Sequence, residues 1–194
     1  MNERLILASA SPRRALILRA LGVPFRVVVS EVDETLVAGE DPARAVERLA
    51  CEKAQAVARR ETLLPILGAD TVVVAGGAVL GKPTTPEEAA AMLRSLAGRD
   101  HHVLTGLALA SGGRVRSAVD RTTVRFAAMT DAEIEWYVST GEPMDKAGAY
   151  HIDGRGALFV ESVTGSPSNV AGLPIRVLHT LAFEADIDLT GSPR

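Results

Sequence analysis

The alternation of apolar and polar residues predicts short strands that are followed by capped helices. Residues 5–8, LILA, form an apolar run typical of a buried strand. A helix follows, with Ser11 as its N-cap, Pro12 as its first residue and Gly22 just beyond its end. The start of the chain therefore predicts a strand that leads directly into a helix.

The same pattern repeats in the next segment. Residues 24–29, PFRVVV, are rich in β-branched residues and predict a second strand. After an acidic loop, Asp41 as N-cap and Pro42 as first residue open a helix over 41–60. Apolar residues recur along it at helical spacing, and Lys53 lies at the edge of this apolar face.

Hairpins interrupt the alternation of strands and helices. A long strand in the segment that begins at residue 63 reaches a turn at Gly76-Gly77 and returns, and a second pair of strands flanks the turn at 111–113. Capping boxes, Thr85 with Glu88 and Thr130 with Glu133, open two further helices. Gly98 closes the first of these, and a final amphipathic helix lies within 173–187. The prediction is an α/β fold with a mixed twisted sheet and flanking helices.

Length and charge narrow the class of protein. With 194 residues, 47% hydrophobic and 23% charged, the chain is expected to be a single globular domain over 1–194. A net charge of −3 provides no general basic field, so a nucleic acid polymer is not expected as partner, whereas a small anion is. No apolar run is long enough for a membrane span and no signal peptide is seen, so a cytoplasmic location is expected. Cys51, the only cysteine, is interpreted as core filler.

The first helix carries two cations where its dipole disfavours them. Arg13 and Arg14 occupy the first turn, and a positive charge there costs a few tenths of a kcal/mol, up to about 1 kcal/mol, unless an anion compensates. This pair predicts a bound anion.

Asp70 is the most informative carboxylate because it interrupts the strand ILGADTVVV. It is either a residue of a β-bulge or strand end that is bonded to nearby amides, or a metal ligand or general base in a polar cleft. Glu31, Asp33 and Glu34 follow another strand, where they are either solvated loop charges or a source of a second carboxylate.

Several familiar motifs are incomplete here. The spacing from Gly76 to Lys82 resembles a P-loop, but Pro83 stands where a magnesium-binding Ser or Thr is needed, and a strand precedes Lys82. The four histidines have no zinc spacing. The segment TGSPSNVAG lacks the glycine pattern of a nucleophile elbow, and DGRGALF lacks the third glycine of a dinucleotide loop.

What remains is a set of cations and carboxylates on different elements. A triphosphate carries about four negative charges and is held by cations, amides of a helix N-terminus and usually Mg²⁺. The set therefore predicts a polyphosphate ligand that also compensates the two arginines; its members are Arg13, Arg14, Lys53, Lys82, Glu34 and Asp70.

With these residues in place, the chain resembles the Maf, or septum-formation-protein, family of nucleotide pyrophosphatases. The family motifs occur in order over nearly the whole length, as LASASPRR, EVDET, EKAQ, GADTVV, LGKP, GEPMDKAGAY and NVAGLP. The resemblance implies an inosine-triphosphatase-like fold with a cleft between two lobes, and a homodimer. It also implies hydrolysis of a nucleoside triphosphate to monophosphate and pyrophosphate with a divalent cation, Mg²⁺ or Mn²⁺.

The resemblance also assigns roles to residues. Asp70 matches the family's proton acceptor and a metal ligand, and Glu34 matches a carboxylate of the metal or phosphate site. The phosphate-binding positions fall on Ser9, Arg14, Lys53 and Lys82.

Three further positions correspond to those that select the base. Arg13 and Thr71 match the branch that hydrolyses dTTP and UTP, while Asp153 stands where that branch usually carries Gln. The resemblance thus implies a dTTP/UTP pyrophosphatase that uses Asp70 to activate water. A non-catalytic nucleotide sensor in cell division is the alternative.

Overall fold

The computed structural model of the chain describes residues 3–189, and it confirms the predicted mixed α/β sheet with flanking helices. The strands are β1 (Leu5–Leu7), β2 (Phe25–Val27), β3 (Ile66–Ala75), β4 (Ala78–Leu80), β5 (Asp100–Ser111), β6 (Arg114–Phe126) and β7 (Val160–Thr164). The helices are α1 (Pro12–Ala20), α2 (Pro42–Ala58), α3 (Pro86–Leu96), α4 (Asp131–Ser139), α5 (Pro167–Val170) and α6 (Ile175–Glu184). Single 3₁₀ turns cover Glu142–Asp145, Ala147–Ala149 and Arg155–Phe159.

Within residues 3–189 the strands form one seven-stranded sheet in the order β2-β1-β3-β5-β6-β7, with β4 paired to β3. Strand β1 runs parallel to both β2 and β3, whereas β3 with β4 and β6 with β7 are antiparallel. The parallel part follows from the helices that connect β1, β2 and β3, and the antiparallel pair β3/β4 from its glycine turn.

The helix caps differ in detail from the predicted ones. Thr130 forms the complete capping box with Glu133, as predicted. The box predicted at Thr85 is only half right, because the Glu88 carboxylate accepts from the amide and hydroxyl of Thr84, at 2.7 Å each, instead of the Thr85 amide. Ser11 is the N-cap residue of α1, but its side chain makes no capping bond.

The chain divides into two compact units. The first comprises the residues up to Asp70, Thr105–Asp120 and those from Gly172 onward; the second comprises Thr71–Leu104 and Arg121–Ala171. That residues 1–194 act as one domain stays a prediction, and residues 1–2 and 190–194 lie outside the described part of the chain.

In the first unit, alternate residues of β1 and β3 pack into two apolar clusters. One cluster joins the sheet to α1 and α6, and the other joins it to α2, as the two-residue period of a strand requires. The members include Leu5, Leu7, Leu67, Leu18, Leu178 and Leu181 in the first, and Ile6, Ala8, Ile66, Ala50 and Ala54 in the second.

The second unit has its own apolar core, centred on aromatic rings. Tyr137 and Phe126 are fully buried, and Phe126 meets Tyr150 edge to face with ring centroids 4.8 Å apart. Helices α3 and α4 contribute Leu93, Leu96 and Ile134 to this core. In the described part of the chain, every helix is too short or too polar to span a membrane.

Candidate active site

Lys53 is the centre of the polar cluster in the first unit. Its ammonium Nζ lies 2.6 Å from Asp70 Oδ1 and 2.7 Å from Glu34 Oε1. The Lys53 side chain is only 5% exposed and that of Asp70 11%, whereas Glu34 is 56% exposed. A buried charge destabilises the fold unless it is paired and hydrogen-bonded. Asp70 and Glu34 provide this pairing for the Lys53 ammonium.

The position of Lys53 follows from a close contact between α2 and β3. A Cβ atom on Gly68 would lie 2.1 Å from the Ala50 carbonyl oxygen, so only glycine permits the helix backbone to approach the strand this closely. Gly106 on β5 meets α2 in the same way, because its Cβ would lie 2.3 Å from the Val46 carbonyl oxygen. Glycine within a strand pattern is the signal that indicates such an approach, and the sequence analysis did not use it.

Arg14 is buried, with 8% of its surface exposed, and is held by two directed bonds. Its Nε donates to the Gly172 carbonyl at 2.8 Å, and its Nη1 donates to Ser9 Oγ at 3.0 Å. Burial lowers the pKa of the guanidinium, and the negative charge of Asp70 opposes that effect. Ser9 Oγ also accepts from the Ser11 amide at 3.2 Å, so Ser9 joins the start of α1 to Arg14.

The first turn of α1 contains no acidic residue. Arg13 is partly exposed, and its charge lowers the pKa of Arg14 further. The first unit thus brings five of the six predicted phosphate and metal-site residues into two bonded groups. Ser9 is bonded to Arg14, and Lys53 is bonded to both Asp70 and Glu34. A concentration of cations at a helix N-terminus beside two carboxylates suits a polyphosphate bound with a divalent cation.

The carboxylates fit a divalent cation that is shared with a substrate. Mg²⁺ is usually bound by one or two carboxylates together with phosphate oxygens and water. Glu34 and Asp70 meet at one ammonium and provide such a pair. Among residues 3–189 no group of three or more His, Cys, Asp or Glu side chains could hold a metal.

The second unit contains the other three predicted site residues. Thr71 follows Asp70 in β3, so its side chain points to the opposite face of the strand. Lys82 is exposed after β4, next to Gly81, whose carbonyl accepts from the Gly148 amide at 3.0 Å. No helix begins at Lys82, since α3 starts at Pro86, which agrees with the rejection of a P-loop.

Asp153 is exposed in a turn of the second unit. An Asx turn, the structural alternative to a role in base recognition, would bring the Arg155 amide to the Asp153 carboxylate. The Arg155 amide instead donates to Glu142 Oε2 at 3.1 Å. Glu142 and its partner Tyr137 were assigned no role by the sequence analysis, although Glu142 is part of the motif GEPMDKAGAY.

His101 and His102 lie on β5 with different surroundings. His101 is 1% exposed, its Nε2 lies 2.9 Å from the Tyr150 hydroxyl, and burial lowers its pKa to about 4. His102 Nδ1 lies 3.1 Å from Thr123 Oγ1. Both rings therefore serve hydrogen bonds within the second unit.

Comparison with known proteins shows which proteins the chain is similar to. A family model described as "Maf-like protein" matches residues 4–184. A dTTP/UTP pyrophosphatase of Symbiobacterium thermophilum is 54% identical over 173 residues, which cover 89% of each chain. The dTTP/UTP pyrophosphatase of Syntrophus aciditrophicus is 47% identical over 98% of this chain and 95% of its own, and that of Myxococcus xanthus is 51% identical over 95% and 94%. A solved structure, "Structure of a HAM1 protein from Coxiella burnetii", aligns with 66% of this chain and 75% of its own at a TM-score of 0.43 and 16% identity.

Proposed function

The chain belongs to the Maf family, and on that basis we propose that it is a nucleoside triphosphate pyrophosphatase that hydrolyses dTTP and UTP to the monophosphate and pyrophosphate. The relatives that bear this activity in their names are 44–54% identical to it over most of its length. The observation that carries the proposal is the buried ammonium of Lys53 between Asp70 and Glu34.

Asp70 acts as the general base in the proposed reaction. Lys53 donates to Oδ1 of Asp70, which fixes the carboxylate and leaves Oδ2 to take a proton from water. The water oxygen forms a bond to the α-phosphorus, the bond from that phosphorus to the bridging oxygen breaks, and pyrophosphate leaves. Positioning and stabilisation of charge provide most of the acceleration in phosphoryl transfer.

The cations hold the triphosphate. Arg14 and Lys53 bind phosphate oxygens, with Ser9 supporting Arg14, and Lys82 is a further phosphate-binding cation. Glu34 and Asp70 would hold a divalent cation, Mg²⁺ or Mn²⁺, which supplies Lewis-acid stabilisation of the phosphate charge when bound. Arg13, Thr71 and Asp153 are proposed to select the base. The cytoplasmic location and the homodimer that the family resemblance implies stay predictions.

A substrate screen tests the proposal. The protein is incubated with dTTP, UTP, CTP and GTP, each with Mg²⁺, with Mn²⁺ or with a chelator, and both pyrophosphate and orthophosphate are measured. Pyrophosphate and the monophosphate are expected from dTTP and UTP, and turnover is expected to stop with the chelator. Release of orthophosphate and the diphosphate would show that the wrong phosphorus was assigned. Saturable binding without turnover would favour a nucleotide sensor.

A further inference from the structure

Glu142 is the centre of a hydrogen-bond network in the second unit. Its Oε1 accepts from the Tyr137 hydroxyl at 2.8 Å and from the Gly156 amide at 3.0 Å, and its Oε2 accepts from the Arg155 amide at 3.1 Å. The Tyr137 hydroxyl in turn accepts from the His151 amide at 3.0 Å. These bonds hold both ends of the segment 151–156, which carries Asp153.

Two glycines of this segment make room for the network. A Cβ on Gly154 would lie 2.6 Å from Glu142 Oε2, and a Cβ on Gly156 would lie 2.6 Å from the Tyr137 hydroxyl. The glycines of the segment DGRG, which resembles the start of a dinucleotide-binding loop, are thus explained by packing against Glu142 and Tyr137. They allow the backbone to close around a carboxylate and a phenol.

The chemistry of the network favours an ionised carboxylate. The three hydrogen bonds that the Glu142 carboxylate accepts within residues 3–189 come from one hydroxyl, which donates here while it accepts from the His151 amide, and from two backbone amides. A carboxylate only accepts, so it satisfies all three, whereas a Gln amide would place an NH₂ donor against a backbone N–H. Bonds to a charged group are also about twice as strong as neutral ones.

We propose that Glu142, with Tyr137, is a positioning residue for base discrimination, because it fixes the segment 151–156 and thereby the carboxylate of Asp153. This inference rests on the proposed function. Asp153 is exposed, and its side chain has no hydrogen-bond partner among the residues that the structure describes. Its position is therefore set by the backbone of the segment, and the backbone is held by Glu142.

The test is Glu142→Gln, with Glu135→Gln as the matched control. Glu135 is an exposed glutamate on α4 of the same unit, outside the network. For each protein, kcat and KM are measured with dTTP, UTP, CTP and GTP. In Glu142→Gln, KM for dTTP and UTP is expected to rise about three- to tenfold relative to CTP and GTP, with kcat changed less. Partial unfolding would instead lower kcat equally for all four nucleotides and leave the ratios of kcat/KM unchanged.

A double variant tests whether Glu142 acts through Asp153. Asp153→Ala removes the carboxylate that the segment presents, so adding Glu142→Gln to it should change the nucleotide ratios no further. Should Glu142→Gln fail to fold, Tyr137→Phe retains the buried ring, loses the hydroxyl that contacts Glu142 and His151, and carries the same expectation.

The outcomes distinguish this inference from the proposed function. Absence of turnover by the unsubstituted protein with every triphosphate would overturn both. Turnover with nucleotide ratios that Asp153→Ala shifts but Glu142→Gln and Tyr137→Phe leave unchanged would overturn the positioning role alone. Ratios that none of the three variants changes would show that the segment does not read the base, which also overturns it.

Discussion

Each of the two compact units contains a carboxylate with defined bonding partners, and the partners are of different kinds. Asp70 in the first unit is bonded to the buried ammonium of Lys53, a charged group that suits an anionic ligand. Glu142 in the second unit is bonded to a hydroxyl and two backbone amides, none of which is charged. The first arrangement suits chemistry on a polyanion, and the second suits the fixing of a loop. Under the proposed function, the carboxylate in the ion pair serves catalysis and the carboxylate held by neutral donors serves positioning.

The largest expected effect comes from Asp70→Asn, which removes the proposed general base but keeps the shape of the side chain. Turnover of dTTP should fall about 10²–10⁴-fold, because loss of a general base has typically this cost. Binding of the nucleotide should be largely retained in an equilibrium titration. Glu31→Gln, a neutralised glutamate of the exposed acidic loop, is the control and should keep its turnover. Near-normal kcat in Asp70→Asn would return Asp70 to a structural role.

Asp153→Gln tests whether discrimination resides in the second unit. A Gln amide both donates and accepts, so it can meet a pyrimidine carbonyl and N3–H together, whereas an ionised Asp only accepts. An unpaired polar group in a desolvated pocket costs about 1–3 kcal/mol, so preference for dTTP and UTP over CTP and GTP should sharpen roughly ten- to a hundredfold. The measurement is kcat/KM for all four nucleotides in both proteins. Unchanged ratios would remove Asp153 from base recognition.

Gly68→Ala addresses the packing that places Lys53. The added methyl would lie 2.1 Å from the Ala50 carbonyl oxygen, so α2 must move away from β3. Overpacking of this kind typically costs about 1–3 kcal/mol of folding free energy. Thermal unfolding should show a lower Tm, and turnover should fall as well, because Lys53 moves with the helix. Gly81→Ala, where an added Cβ meets nothing within 4 Å, is the control for stability.

The smallest expected effect is on the pH dependence of stability through Glu142. Burial alone raises its pKa, but the bonds from the Arg155 amide, the Tyr137 hydroxyl and the Gly156 amide, with the charge of His151, outweigh that effect. The folded pKa therefore lies below the ordinary 4.5. The resulting stabilisation is fully present above the unfolded pKa and is lost as pH falls through the folded pKa.

Melting curves between neutral and acidic pH measure this contribution. The difference in Tm between the unsubstituted protein and Glu142→Gln should be largest near neutrality and shrink as the solution becomes more acidic than the ordinary glutamate pKa. Glu135→Gln should show no such trend. A difference that stays constant with pH would mean that the charge of Glu142 does not contribute to stability.

Much of the fold could be predicted because local signals determine it. Asp41 and Pro42 start α2, Gly76 and Gly77 turn β3 into β4, and Thr130 caps α4 with Glu133, all as the sequence indicates. The Thr85 cap was half wrong because Thr84 and Thr85 both offer groups to Glu88, and their competition depends on the geometry of the turn.

The sequence predicted which residues form the candidate site, but it did not predict which of them are bonded to one another. Residue types identify Lys53, Glu34 and Asp70, yet their meeting at one ammonium depends on how closely α2 approaches β3. Glu142 was missed because its partners are mostly backbone amides, and amides of distant residues leave no trace in side-chain patterns. Glu142 lies in a family motif, but the residue type alone does not show whether a glutamate binds a substrate or the backbone of a loop.

The seating of α2 directly on Gly68 and Gly106 has a consequence for how this protein can diverge. Where a helix rests on a sheet through interlocking side chains, exchanges in the core can shift it by fractions of an ångström. Here no side chain of Gly68 or Gly106 intervenes at two contacts, so the main chain itself sets the distance. Substitutions among the surrounding alanines, leucines and valines are then expected to leave the distance between Lys53 and β3 unchanged. Gly68 and Gly106 therefore make the position of the Lys53 ammonium independent of substitutions in the surrounding apolar core.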